Sequence, residues 1–155
     1  MRLPYHIAFS AAISGILYMI FKSWALAVSC FITGIFIDLD HIIDVLRENG
    51  RPFKIKEFFQ ICHDCQFNRV ILIWHGWEWL LLWSIAAWLT DWNPWMTGAL
   101  IGLSQHMVID AFSNNNRIRA YSLLWRWKQN FCFDKTFPQL TNIKYNNGKY
   151  SRGGQ

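Results

Sequence analysis

Two apolar runs, His6 to Phe21 and Trp24 to Ile37, follow one another with only Lys22 and Ser23 between them, and neither contains an Asp, Glu, Lys or Arg. So short a connector forces consecutive helices into an antiparallel hairpin. Two further apolar segments, Val70 to Leu89 and Pro94 to Phe112, approach the ~20 residues that cross a bilayer core. Asp91, Trp92 and Asn93 link them as a tight turn, and Pro94 suits the first turn of a helix. A second hairpin is expected.

Runs of this kind belong in a protein core or in lipid, and composition decides between the two. Hydrophobic residues make up 53% of the 155 residues and ten are tryptophan, while charged residues reach only 16%, against about 25% in an ordinary soluble domain. The expected fold class is all-α: an integral membrane four-helix bundle of two helical hairpins with amphipathic cytoplasmic segments. The membrane domain is expected to occupy residues 1–130, including a cytoplasmic loop at 45–69, and residues 131–155 read as a polar C-terminal tail. No small-residue cleavage site follows the first apolar run, which is therefore expected to remain as a membrane helix. Trp24, Trp92 and Trp95 flank the turns where an aromatic belt would sit.

Lys and Arg set the orientation, because positively charged flanks stay in the cytoplasm. Of the fifteen, only Lys22 lies outside the N-terminus, the 45–69 loop and the region after Phe112. With four spans these three regions share one face, which predicts an inner-membrane, multi-pass protein with both termini cytoplasmic. A basic fringe of this kind attracts anionic membrane lipids and accounts for the net charge of +5. No recognition element for nucleic acid accompanies it, so none is expected as a partner.

Cys30, Cys62, Cys65 and Cys132 include a single CxxC, at Cys62 and Cys65, with no second pair to complete a zinc ribbon. They read as structural or incidental. His63, beside Cys62 and Asp64, reads as a solvated surface residue.

The remaining ionisable groups fall at one depth. His6 opens the first run, while Asp38, Asp40, His41 and Asp44 close the second at the same end. His75 and Glu78 are read as lying about two turns into the third helix, spaced i, i+3. His106 and Asp110 lie in the last turns of the fourth, spaced i, i+4, so each pair would share a helical face. Carboxylates in apolar helices pair, line a cavity or bind an ion. Four helices aiming imidazoles and carboxylates at one interior point resemble a metal cage, and such donors suit a divalent ion, zinc or manganese foremost. Each motif also has a plainer reading: Asp38 or Asp40 as a helix cap, His6 as an interfacial histidine, His75 with Glu78 and His106 with Asp110 as hydrogen-bonded pairs locking the bundle.

The stretch GIFIDLDHIID is similar to the Pro-Asp-x-Asp-His signature of the membrane-bound metal-dependent hydrolase family, whose members are also described as LexA-binding, inner-membrane-associated hydrolases. GLSQHMVIDAFSN resembles the family's Gly-x-x-x-His-x-x-x-Asp segment through Gly102, His106 and Asp110, and His6 matches its N-terminal histidine. WHGWEWLLL is more similar to a divergent branch carrying His-Ser-x-Glu. Ile37 stands where the main family has proline, and Glu78 appears without the family's second histidine. The likeness covers residues 1 to about 130 and implies metal-ligand or catalytic roles for His6, Asp38, Asp40, His41, His75, His106 and Asp110.

The function expected from these residues and this resemblance is a metal-dependent hydrolase of the inner membrane with a cytoplasm-facing His/Asp site, acting on a phosphoester or lipid-linked substrate. His6, Asp40, His41, His75, His106 and Asp110 are the expected metal ligands, and Glu78 or Asp38 the general base. Arg117 and Arg119 lie where a substrate anion could be held, or are simply part of the basic fringe. The alternative is a non-catalytic metal-binding or ion-handling membrane protein, although the outer halves of the helices lack the polar relays a transport route needs.

Overall fold

The computed structural model describes residues 3–49, 54–64, 67–113, 118–138 and 140–141 of the chain. Its elements are helical: α1 (Leu3–Phe21), α2 (Trp24–Phe36), a 3-10 turn (Ile37–Leu39), α3 (Asp40–Asn49), α4 (Ile55–His63), α5 (Trp77–Leu89) and α6 (Pro94–Ser113). A second 3-10 turn (Ile118–Tyr121), α7 (Leu123–Lys128) and α8 (Phe133–Thr136) complete them. The only pairing of extended backbone among the described residues is an isolated bridge between Arg69 and Cys132.

Both sharp turns pass through the left-handed region of backbone space. Lys22 takes a left-handed φ of 50°, and the Ser23 hydroxyl caps α2 by accepting from Leu26 N–H. Asp91 and Trp92 are also left-handed, with φ of 49° and 55°, before Pro94 opens α6. The chain therefore reverses twice, and α2 packs against both α1 and α6 while α5 packs on α6.

The α2–α6 contact depends on two glycines one helical turn apart. A Cβ at Gly98 would overlap the Leu26 carbonyl oxygen, and one at Gly102 would overlap that of Cys30. Small residues at this spacing let two helix backbones approach, as they do between helices in membranes. The close approach brings His106 Nδ1 to 2.8 Å from the Gly34 carbonyl oxygen.

Two helical stretches are long and apolar enough to cross a membrane: Pro4–Phe21, of which 17% is buried, and the continuous Trp24–Glu48, of which 39% is buried. The core helix of a soluble protein would be mostly covered. Here Met19, Ile20, Phe21 and Trp24 are each more than 60% exposed, as are Leu81, Trp88, Leu89 and Phe112 on the second hairpin.

The third apolar segment departs from expectation. Residues 70–76 are not helical, and α5 begins only at Trp77, leaving 13 helical residues, or about 20 Å at 1.5 Å per residue. The cause is a set of polar side chains that capture the 70–76 backbone, described below. The fourth segment, α6, has 20 residues but carries Ser104, Gln105, His106 and Asp110 in its second half.

The residues expected to form a cytoplasmic loop and tail instead pack together. Phe58 and Ile61 from α4, Val70 and Leu72, Tyr121, and Phe133 and Phe137 join Val45 and Met107 in one hydrophobic cluster. The start of the expected tail is thus part of a compact layer at the end of the bundle where Asp38 and Asp110 lie. Cys30, Cys62 and Cys132 are free thiols. Cys65, Arg117 and the side chain of His63 lie outside the described residues.

Candidate metal centre

At Ile37 the α2 helix tightens into its 3-10 turn, and this local change determines what each acidic residue reaches. Residues two apart on an α-helix point about 160° apart, measured the short way round the axis, whereas 3-10 winding of about 120° per residue narrows that gap to about 120°. Asp38 and Asp40 are thereby both turned inward and buried, and Asp44 follows one α-helical turn after Asp40.

Asp38, His75, His106 and Asp110 converge. His75 Nε2 lies 3.1 Å from His106 Nε2, 3.5 Å from Asp38 Oδ1 and 3.4 Å from Asp110 Oδ2. His106 Nε2 lies 3.5 Å from Asp38 Oδ1 and 3.6 Å from Asp110 Oδ2. All four residues are buried. A tetrahedron of ligands at about 2.0–2.1 Å from a central ion has edges of about 3.3–3.4 Å. The observed separations bracket that value, so this group can hold a metal ion.

Hydrogen bonding at the far side of each imidazole points the same way. His106 Nδ1 donates to the Gly34 carbonyl, and His75 Nδ1 lies 3.0 Å from Asp40 Oδ2. With both Nδ1 atoms protonated, both Nε2 lone pairs face the centre, where neither can donate to the other. Both Asp38 oxygens are buried without a hydrogen-bond partner. Four electron-pair donors around a common point require a cation there, either a metal or an added proton. In the metal-free protein, burial opposes a charge on His75, but Asp40, with Asp110 and Asp38, outweighs it and raises its pKa well above the ordinary 6.5.

A second group, Asp40, His41 and His75, also lies close enough to chelate, but it shares His75 with the first. The His75 nitrogen that faces Asp40 is Nδ1, while Nε2 faces the other three ligands. Asp40 is accordingly the carboxylate that orients His75, an arrangement typical of metal-bound histidines. His41 Nδ1 sits 3.3 Å from Asp40 Oδ1 and 3.7 Å from Asp38 Oδ1, with 16% of its side chain exposed. His6 is absent from both groups: its Nε2 lies 3.1 Å from Asp110 Oδ1, and its ring stacks on His106 at 4.2 Å. It steadies two ligands from behind.

His75 does not share a helical face with Glu78, because it precedes α5. Its placement comes from the 70–76 loop being held on both edges. Asp44 accepts from Ile71 and Leu72 N–H at 3.0 and 3.1 Å, and Asp40 accepts from Trp74 N–H at 3.0 Å. From the other side, Arg126 Nη2 donates to the carbonyls of Leu72 and His75 at 2.9 and 2.8 Å. Leu72 is held in the left-handed region at φ 45°, a conformation that costs a non-glycine residue roughly 1–2 kcal/mol. Five hydrogen bonds keep it there.

Glu78 points away from the centre. Its carboxylate accepts from the Ser122 hydroxyl at 2.7 Å and from Leu123 and Leu124 N–H at 3.0 and 3.1 Å, capping α7. The capped helix delivers Arg126, which is fully buried. Burial lowers the Arg126 pKa below its ordinary value, opposed by Asp40, Glu78 and Asp44. Arg119 is exposed.

Arg126 escaped sequence reasoning, because its place within YSLLWRW looks like one more basic fringe residue. Asp44 carried a signal in its i, i+4 spacing from Asp40, but nothing local indicated a backbone partner.

A cavity of about 80 Å³ beside the centre is lined by Asp38, His41, Asp44 and Asp110 together with apolar side chains including Phe67, Tyr121 and Phe133. No family model, no curated protein and no solved structure matches this chain.

Proposed function

We propose that the chain is an integral membrane, metal-dependent hydrolase of the inner membrane whose site opens at the cytoplasmic end of a helical bundle. The observation that carries this reading is the convergence of Asp38, His75, His106 and Asp110 within metal-chelating distance beside a cavity that Asp38 and Asp110 also line. Two imidazoles and two carboxylates in four-coordinate geometry favour zinc, with manganese as the alternative. The ion would supply Lewis-acid polarisation of a scissile group and water activation at neutral pH.

The chain's own residues do the rest. Asp40 and the Gly34 carbonyl fix the two imidazole orientations, and His6 fixes Asp110. Tyr121 and Phe133, which line the cavity, belong to the hydrophobic cluster and back it with packed apolar side chains. Glu78, occupied at the α7 N-terminus, holds the layer together rather than moving a proton. The membrane assignment draws support from the two long, mostly uncovered apolar helices and from the confinement of Lys and Arg to one end.

A second reading is a non-catalytic metal-binding membrane protein. The number of ligands favours it, since four protein groups complete a tetrahedral site and catalytic zinc keeps a position open. Both readings require metal. Purification in detergent without chelators, followed by elemental analysis, should find about one equivalent in the wild type and a loss in His106→Ala and Asp38→Ala. Metal-dependent turnover of ester or phosphoester substrates then selects the hydrolase, and bound metal without any turnover selects the second reading. A wild-type protein that neither retains nor takes up metal sinks both.

A further inference from the structure

The cavity beside the candidate metal centre combines acidic and apolar lining residues, and its charge discriminates between substrates. Asp38, His41, Asp44 and Asp110 supply the polar side, and among the described residues no Lys or Arg lines it. A divalent ion would neutralise Asp38 and Asp110. Asp44 and the neighbouring Asp40 remain as carboxylates, and the buried guanidinium of Arg126 offsets only one of them while its Nη2 is committed to the Leu72 and His75 carbonyls. Among the described residues the lining therefore stays anionic with a metal in place.

Sites that transfer phosphoryl groups surround the transferred oxygens with cations, because charge is spread over several of them. An acyl carbonyl has one oxygen to polarise and brings no charge of its own. The same cavity is lined by Phe67, Leu72, Tyr121, Phe133 and Phe137, which suit a hydrocarbon group. The volume of about 80 Å³ corresponds to roughly five to eight waters at about 10–15 Å³ each, a size that suits a short chain.

Building on the hydrolase reading, we infer that the substrate is a neutral carboxylic ester with a short apolar acyl group, and not a phosphoester. Hydrolysis consumes one water. Its oxygen bonds to the acyl carbon, the acyl C–O bond breaks, and a proton from that water ends on the departing alcohol.

The test uses the full chain in detergent, loaded with zinc. We expect p-nitrophenyl butyrate to be hydrolysed at least tenfold faster than p-nitrophenyl octanoate, with p-nitrophenyl phosphate and its diester at background. Asp38→Ala and chelation should each abolish the ester turnover, and Phe137→Ala should shift the preference toward the longer chain. Calorimetry supplies a readout independent of turnover: a trifluoromethyl butyl ketone, which is neutral, should bind at least tenfold more tightly than butylphosphonate. Turnover of phosphoesters alone, or tighter binding of the phosphonate, overturns the ester assignment and leaves the hydrolase reading standing. If neither substrate class is hydrolysed, the hydrolase reading falls and this inference with it.

Discussion

The Oδ2 oxygen of Asp40 lies 3.0 Å from Nδ1 of His75 and 3.0 Å from the backbone nitrogen of Trp74, so a single carboxylate oxygen sets both the ring and the loop that carries it. Through it the first residue of α3 decides which nitrogen of a histidine 35 positions later faces the metal centre.

Asp40→Asn should therefore weaken metal binding without abolishing it. Loss of an orienting carboxylate costs about 10- to 100-fold in affinity, whereas Asp38→Ala or His106→Ala removes a ligand and should cost more. Competition against a chromophoric chelator measures the series. Equal losses in Asp40→Asn and Asp38→Ala would mean that Asp40 is itself a ligand.

The raised pKa of His75 predicts a pH dependence whose sign differs with and without metal. In the metal-free protein, the protonated imidazole contributes stability that is fully present below its unfolded pKa and lost as pH rises through its folded value. Metal needs the deprotonated ring, so binding strengthens over the same rise. Scanning fluorimetry in detergent should show Tm falling with EDTA and the zinc-induced increase in Tm growing as pH rises above the ordinary imidazole value of 6.5. A zinc-induced shift that shrinks with rising pH contradicts imidazole ligation.

Arg126→Met should destabilise the protein by roughly 2–4 kcal/mol, because two loop carbonyls lose a charged donor and the nearby carboxylates lose their buried counter-charge. Metal occupancy should fall with it, since the His75 carbonyl is one of the two acceptors. Thermal unfolding followed by circular dichroism, with elemental analysis of the same samples, checks both effects. An exposed-face control, Lys128→Met, should change neither.

Gly102→Val should cost about 3 kcal/mol by driving a side chain into the Cys30 carbonyl, and should reduce metal retention as His106 is pushed from Gly34. Gly15→Ala is the matched control. Nothing lies within 4 Å of a Cβ there, so the gain is helix propensity alone, about 0.5–1 kcal/mol of added stability. Parallel denaturation curves in detergent separate the two.

Glu78→Gln should retain metal and lose on the order of 1 kcal/mol of stability as the α7 cap weakens. Turnover should persist in proportion to the folded fraction. Loss of turnover with metal and fold intact would restore Glu78 as the general base.

Much of this protein was legible along the chain. The tight turns at Lys22 to Ser23 and Asp91 to Asn93, the apolar runs between them, and the shared face of His106 and Asp110 all follow from local periodicity, which needs no partner to be read. The same locality brought His6, Asp38, Asp40, His41, His75, His106 and Asp110 to one end of the fold. Tertiary structure decided how they divide the work. Asp38 faces the centre and Asp40 stands behind His75, because a 3-10 turn that no propensity announces changes the phase between them. His75 leaves the third helix because Asp40, Asp44 and Arg126 satisfy its loop's backbone better than an extra helical turn would. Glu78 serves α7 and Arg126 is buried because both answer to partners more than forty residues away. Sequence sets which groups arrive at the site, since helical spacing is a short-range property; which lone pair faces the centre of the cluster depends on hydrogen bonds between distant segments, and these exist only once the chain has packed.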